Sequence, residues 1–338
     1  MSKITQAQIA HQLGVSRVTV SKVLLDKPGV SQETRERVFE LLRSYGESAE
    51  SIVQRRRTRS HDGTQEPAPR NVAVVFPGNL AEKDFWSPII QGISNILYRM
   101  NIHMRLLLTS ADNHTPPPEF ISDPPDAVIN VYTFEDDYYR FLAERGIPFV
   151  SYDTAVGLNY HPICDVVCTD NEIATHLLTQ HLIAKGHKKI AFVGDHASIN
   201  SFYLRWKGYR DAMLDSELPL LYDELFYYPD IRSQYDINHL YSCLEKCGDP
   251  PTAYVCANDS IAYSMNYIQR QHEDRLGHFD LTGFDNEPQF ISALPNVSTA
   301  SFSKEEIATC LVEQVLWRYE NPDRPHRIIT IPSRIILR

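Results

Sequence analysis

The chain has 338 residues, enough for two or three domains with sizeable cores. No stretch reads as a secretion signal or a membrane span, so the expectation is a soluble, cytoplasmic protein with no membrane partner. The net charge of −10 hides an asymmetry: residues 1–60 carry 11 Lys and Arg against 6 Asp and Glu, and the remainder carries 22 against 37. A basic head on an acidic body fits nucleic-acid binding confined to the head.

Ile4 to Leu25 predicts two short helices joined by a tight turn. Thr5 and Gln8 have the spacing of a capping box, and Ile9, Ala10 and Leu13 form one apolar stripe. Gly14 is suited to the left-handed turn that ends a helix, and Ser16 to capping the next, whose Val20, Val23 and Leu24 face inward. Arg17, Val18, Ser21 and Lys22 then lie outward, a face suited to the DNA major groove. After a turn at Asp26-Lys27-Pro28-Gly29, Ser31 caps a third helix, with Val38, Leu41 and Leu42 closing a three-helix core. The arginine run 54–59 ends this head, and residues 61–70 (HDGTQEPAPR) read as a polar, proline-bearing linker.

From Asn71 short β-rich runs alternate with helical patterns. The strands are expected at 72–76, 126–132, 147–153, 189–195, 252–259 and 281–285. Helices are expected at Ile89–Met100, Asp136–Arg145, Glu172–Lys185, Trp206–Leu214 and Asp236–Lys246. Such alternation implies parallel sheets covered on both faces, and the number of units implies two Rossmann-like lobes. Ligands of such sheets bind beyond the carboxyl ends of the strands, where Pro77-Gly78-Asn79, Tyr132, Asp153, Asp195, Asn258-Asp259 and Asp285 fall.

The segments IAHQLGVSRVTVSKVL, VSQETRERV, TDNEIATHLLTQHLIAKGHKKIAFVG, RWKGYRDAM, PTAYVCANDSIAYS and LTGFDN, in that order, resemble the LacI/GalR family of transcriptional regulators over nearly the whole chain. The resemblance implies an N-terminal all-α helix-turn-helix headpiece with hinge (1–60), a linker (61–70) and an α/β, two-lobed periplasmic-binding-protein-like core (71–338). It implies a homodimer that binds double-stranded operator DNA and is switched by a small-molecule effector, possibly a carbohydrate, lodged between discontinuous lobes. The lobes would exchange chain near residues 295–300 and 320–326.

DNA contacts are expected from Thr5, Ser16, Arg17, Val18, Ser21, Lys22, Ser31, Thr34, Arg55 and Arg56. The family's hinge has a proline, an asparagine and a groove-wedging leucine; SYGESAESIVQRRRT lacks the first two and aligns Arg56 to the third, leaving Ile52, Val53 or the arginines to hold the minor groove. Residues 45–59 are expected to be partly mobile without DNA. The chain shown stops after IPSRIILR, without the family's tetramerising heptads, which favours a dimer.

Carried over residue by residue, the family's effector positions are Asp153, Arg205, Asn258 and Asp285, with Phe85, Trp86 and Phe302 lining the cleft. Carboxylates, an amide and a guanidinium against aromatic faces suit a polyhydroxylated ligand. The plainer readings are Asp153 and Asp285 as helix caps, Arg205 in a surface ion pair, and Phe85 and Trp86 as core. Phe302 replaces a polar residue common in relatives and makes the pocket more apolar. No cofactor or metal is expected: no GxGxxG or GxxxxGK[ST] follows a predicted strand, and the six cysteines lack zinc-like spacing. An enzyme is therefore disfavoured; a transport solute-binding protein is disfavoured by the missing signal peptide and the headpiece, while control of the same fold by a partner protein stays open.

Overall fold

The computed structural model describes residues 6–24, 30–44, 69–77, 83–109, 116–131, 136–154, 163–220, 226 and 235–338. Three helices form the head: α1 (Gln6–Leu13), α2 (Arg17–Leu24) and α3 (Gln32–Ser44). Gly14 adopts φ +64°, the left-handed turn expected of it. The Ser16 hydroxyl accepts from Thr19 N–H at 3.0 Å, and the Ser31 hydroxyl from Thr34 N–H at 3.3 Å, so both serines cap as predicted. Ile9, Ala10, Val20, Val23, Val38 and Leu42 are buried together, with Leu13 and Leu41 packed against them. Arg37 of α3 donates to the Leu13 carbonyl at 3.3 Å, satisfying an acceptor left open at the end of α1.

The body then runs β1 (Asn71–Pro77), α4 (Lys83–Arg99), β2 (His103–Thr109), α5 (Glu119–Ser122), β3 (Ala127–Asn130), α6 (Asp136–Glu144), β4 (Phe149–Tyr152), β5 (Asp165–Thr169), α7 (Asn171–Ala184), β6 (Ile190–Val193) and α8 (Asn200–Asp215). It continues through α9 (Ile237–Glu245), β7 (Ala253–Cys256), α10 (Asp259–Gln271), α11 (Glu273–Leu276), β8 (Asp280–Thr282), α12 (Pro288–Ile291), β9 (Thr299–Ser301), α13 (Lys304–Glu320), β10 (Ile328–Ile331) and β11 (Arg334–Ile336).

The first lobe is a parallel sheet in the order β10-β5-β4-β3-β1-β2. One face is covered by α4 and α13 through Ile89, Ile93, Leu311 and Val315, the other by α6 through Tyr138, Tyr139 and Leu142. The second lobe has the parallel order β6-β7-β8, extended by a Thr282–Ser298 bridge to β9, which pairs antiparallel with β11. Strands β3, β4, β6 and β7 are buried along their whole length, which is why they read as unbroken apolar runs. Helices α7 and α8 lie so close that a Cβ on Gly208 would stand 2.2 Å from the Glu172 carbonyl oxygen; this contact accounts for the glycine of RWKGYR.

Three differences from the sequence reading have physical causes. Strand β2 was not expected, because HMRLLLT is a half-exposed edge strand with a broken apolar pattern. Strand β5 was not expected either, because its run opens on a charged residue, Asp165, which is buried where Arg318, Gln314 and the Arg327 N–H all donate to it. The chain passes between lobes at 170, 302–303 and 332–333, rather than near 295–300 and 320–326. Residues 295–301 stay with the second lobe because Ser298 bridges Thr282 and β9 pairs with β11. Residues 321–326 fold back on the first lobe, where Arg318 donates to the carbonyls of Asn321, Arg324 and Pro325 at 3.1, 2.6 and 2.9 Å. Thr5, Gly78-Asn79, Tyr132, the hinge with Ile52, Val53, Arg55 and Arg56, and linker residues 61–68 lie outside the described residues.

Candidate functional site

In the head, the serine caps fix where α2 and α3 begin. The hydroxyls of Ser16 and Thr19 lie 2.8 Å apart, as do those of Ser31 and Thr34. Each pair sits at the start of a helix, with the serine hydroxyl also receiving the threonine N–H. Lys22 is half-buried on α2. The backbone places Arg17, Val18 and Ser21 on the same helix, and their side chains lie outside the described residues.

The second candidate site is the crevice between the lobes. Four of its predicted residues follow strands: Asp153 after β4, Asn258 after β7, Asp285 after β8, and Phe302 after β9. Asp153 takes φ +64° and is 6 % exposed. Its carboxylate accepts from Thr154 N–H at 2.8 Å and from Ser201 N–H in the first turn of α8 at 3.2 Å. The Asn200 N–H donates to the Thr154 carbonyl at 3.0 Å, so a first-lobe loop is fastened to a second-lobe helix. Burial pushes the Asp153 carboxyl above its ordinary range, against those hydrogen bonds.

Asn258 caps α10, accepting from Ile261 N–H at 3.0 Å, while its amide donates to the Tyr235 hydroxyl at 3.3 Å. Asp153 therefore serves the first turn of α8 from across the cleft, although the N-cap position of that helix is Ile199, while Asn258 is itself the N-cap of α10. Asp285 instead faces Arg205 at 3.4 Å and has φ +98°. Arg205 is 4 % exposed, not a surface cation. Its Nε donates to Asn171 Oδ1 at 2.8 Å and its Nη1 to the Ala257 carbonyl at 2.6 Å, and the guanidinium stacks 3.7 Å over Phe284.

Aromatic rings run between the lobes. Phe85 and Trp86 meet edge-to-face at 4.9 Å, and Trp86 meets Tyr152 at 5.6 Å. Phe302 lies 6.2 Å from Phe85 and 6.1 Å from Phe284, joining the two sides. Burial, then the Asp153 charge, raises the Tyr152 hydroxyl well above its ordinary value, so it stays a neutral donor. Beside these rings opens a cavity of about 350 Å³ lined by Asp285, Glu287, Ser301, Phe302, Lys304 and neighbouring residues. Glu287 and Lys304 form an ion pair there, and the Lys304 ammonium stands 4.7 Å from the Phe85 ring centre.

Of the seven predicted cleft residues, Asp285 and Phe302 line this cavity. Phe85 and Trp86 back it, Arg205 reaches it through Asp285, and Asp153 and Asn258 are engaged at the starts of helices. Sequence reasoning missed Tyr152, Phe284, Glu287 and Lys304. The first two are immediate neighbours of Asp153 and Asp285 in their strand-end motifs and were open to the same argument. The Glu287–Lys304 pair is long-range and had no local signal.

A basic helix-turn-helix followed by a two-lobed α/β core with an inter-lobe cavity defines a ligand-responsive class of DNA-binding protein. Residues 6–46 match the family described as bacterial regulatory proteins, lacI family, and residues 179–338 match the periplasmic binding protein-like domain. The chain thus carries a LacI-family helix-turn-helix and a periplasmic-binding-protein-like domain, its relatives are LacI-family regulators, and it is a DNA-binding transcriptional regulator. It is 26 % identical to the maltose regulon regulatory protein MalI of Escherichia coli (strain K12), over 99 % of this chain and 98 % of the relative. It is 24 % identical to catabolite control protein A of Priestia megaterium, over 99 % and 98 %. Among solved structures, the complex of the transcriptional regulator CelR with cellobiose has a TM-score of 0.68 at 22 % identity, over 99 % of both chains. The lac repressor dimer bound to operator and an anti-inducer has a TM-score of 0.65 at 18 % identity, over 99 % and 98 %. These relatives are regulators, not enzymes.

Proposed function

We propose that this regulator is a repressor that acts in the cytoplasm as a homodimer, and that a small polyhydroxylated effector bound between its lobes changes its operator affinity. The parts are a headpiece and hinge over residues 1–60, a linker over 61–70 and a core over 71–338. In this reading Arg17 and Lys22 read base edges with Val18. Thr5, Ser16, Ser21, Ser31 and Thr34 hold phosphates, and Arg55 and Arg56 reach the groove beside them. Arg205 and Asp285 couple the effector to lobe movement, with Phe85, Trp86 and Phe302 beneath its apolar face and Asp153 and Asn258 steadying the helices around it. The protein works by binding, with no cofactor or metal.

The observation that carries the effector reading is the inter-lobe cavity bordered by Asp285 and Phe302. The solved neighbours that bind cellobiose and ribose support a sugar. Homodimerisation is supported by exposed apolar side chains on both lobes: Leu106, Leu108 and Tyr98 around edge strand β2, and Tyr263 and Tyr267 on α10. The test is an operator titration with and without each of a panel of sugars. A sugar that shifts operator affinity supports the reading. A panel that leaves operator affinity unchanged while a partner protein alters it replaces the small molecule by that partner.

A further inference from the structure

The side chains predicted to hold the effector are mostly committed to the fold. Arg205 is bonded to Asn171, Ala257 and Asp285, and Asp153 and Asn258 are engaged at the starts of helices. The Glu287–Lys304 pair is placed differently. Glu287 follows β8 in the second lobe and its side chain is 6 % exposed; Lys304 opens α13 against the first lobe at 17 %. The pair therefore spans the lobes, and both residues line the cavity.

We propose that Glu287 and Lys304 receive the effector, taking a vicinal diol of a neutral sugar between carboxylate and ammonium. The proposal rests on the cleft being the effector site. One hydroxyl donates to the Glu287 carboxylate and its neighbour accepts from Lys304, so the diol satisfies both charges that now satisfy each other. The ring's apolar face lies against Phe302, which lines the same cavity. A sugar acid or sugar phosphate would bring negative charge beside Glu287 and Asp285, which disfavours anionic effectors. Because the two residues belong to different lobes, replacing their direct contact by a bridged one changes the spacing between the lobes. The ligand's binding energy thus differs between lobe orientations, as switching requires.

The test titrates D-glucose, D-ribose, cellobiose, D-glucuronate and glucose 6-phosphate into the full chain, read by thermal shift and calorimetry. The proteins are the unmodified chain, Glu287→Gln, Lys304→Met, and Lys189→Ala, which removes an exposed pair with Asp249. The expected result is that a neutral sugar raises the melting temperature of the unmodified chain and of Lys189→Ala. Its affinity should fall about tenfold or more in each cleft variant, a loss of about 1.4 kcal/mol. Two variants from opposite lobes guard against a folding defect in either, since each is scored against its own ligand-free melting curve. Unchanged affinity in both cleft variants overturns the diol clamp and leaves the cleft reading intact, with contacts nearer Arg205. Tighter binding of the anionic sugars overturns it too. If none of the five probes binds up to about 10 mM, where binding to the native state would show as a shift, the clamp and the sugar cleft both fall.

Discussion

Arg205→Ala should destabilise the second lobe as well as uncouple the ligand. The arginine and Asp285 are both nearly excluded from solvent, with side chains 5 % and 7 % exposed. Removing the guanidinium takes the arginine away from a buried carboxylate, removes the donor to the Ala257 carbonyl, and leaves Asn171 Oδ1 with the Thr169 hydroxyl alone of its two side-chain donors. Breaking a buried pair of this kind costs about 3–5 kcal/mol. The 2.6 Å bond to Ala257 and the 2.8 Å bond to Asn171 are lost together with the 3.4 Å approach to Asp285 and add to the cost of breaking the pair. At about 2–4 °C per kcal/mol, the melting temperature should fall by roughly 6–20 °C. Trp206, next along α8, reports the transition by fluorescence during urea unfolding. Arg205→Lys should keep part of the stability, because one ammonium reaches fewer of the three acceptors. Adding Asp285→Ala to Arg205→Ala should restore part of the loss by removing the buried carboxylate that the arginine had faced. A loss below about 1 kcal/mol, with no recovery in the double variant, would refute the claim that this contact is structural. The surface ion pair weighed for Arg205 from the sequence does not fit this burial.

Ser16→Ala removes the cap of α2 and should cost the head about 0.5–2 kcal/mol, measured by thermal melting, with operator affinity falling in step. Burial alone would raise the Asp165 carboxyl, but hydrogen bonds from His326, Arg318 and Gln314 overcome it and hold the group below the usual carboxylate range. A depressed folded-state value contributes stability above the unfolded value of 3.8 and loses it as pH falls through the folded one. Unfolding free energy measured downward from pH 5 should therefore drop more steeply in the unmodified chain than in Asp165→Asn. Leu108→Lys places a charge on the apolar rim of β2, where Leu108 is 60 % exposed, and should shift sedimentation toward monomer without lowering the melting temperature of the monomer.

The head was legible because its signals are local. Gly14, Ser16 and Ser31 each act within four residues, and the backbone there has the conformation each residue favours. Doubly buried strands such as β6 and β7 were legible for the same reason, since their apolar runs are unbroken. Edge strand β2 was not, because half its side chains face solvent. The lobe crossings were misplaced because they depend on distant pairings: β9 with β11, and Arg318 with Asp165. In the cleft, strand ends pointed to Asp153, Asn258 and Asp285. Which of them caps a helix and which faces the cavity depends on α8 and α10 arriving from elsewhere in the chain. Glu287 and Lys304 meet only once both lobes have formed.

The three crossings also bear on how such a molecule can switch. Two of them are tied together: Asp170, where β5 leaves the first lobe, accepts from Ser333 N–H at 2.9 Å, where β10 leaves it. The third carries Phe302, whose ring touches aromatic neighbours in both lobes, followed at once by Lys304. A ligand in this cavity therefore sits against the pivot, not at the far rim, so a small displacement of Phe302 or Lys304 corresponds to a larger movement at the distant ends of the lobes. Moving an equilibrium between two lobe orientations from 1:99 to 99:1 needs about 5.5 kcal/mol of differential affinity. Hydroxyl contacts to one charged pair, at about 1.5–3 kcal/mol each, together with burial of one aromatic-facing ring, are of the size required. In the proposed reading the head's charge holds phosphates, while the ion pairs Arg205–Asp285 and Glu287–Lys304 balance the cleft's charge within itself, so that ligand chemistry sets the lobe orientation.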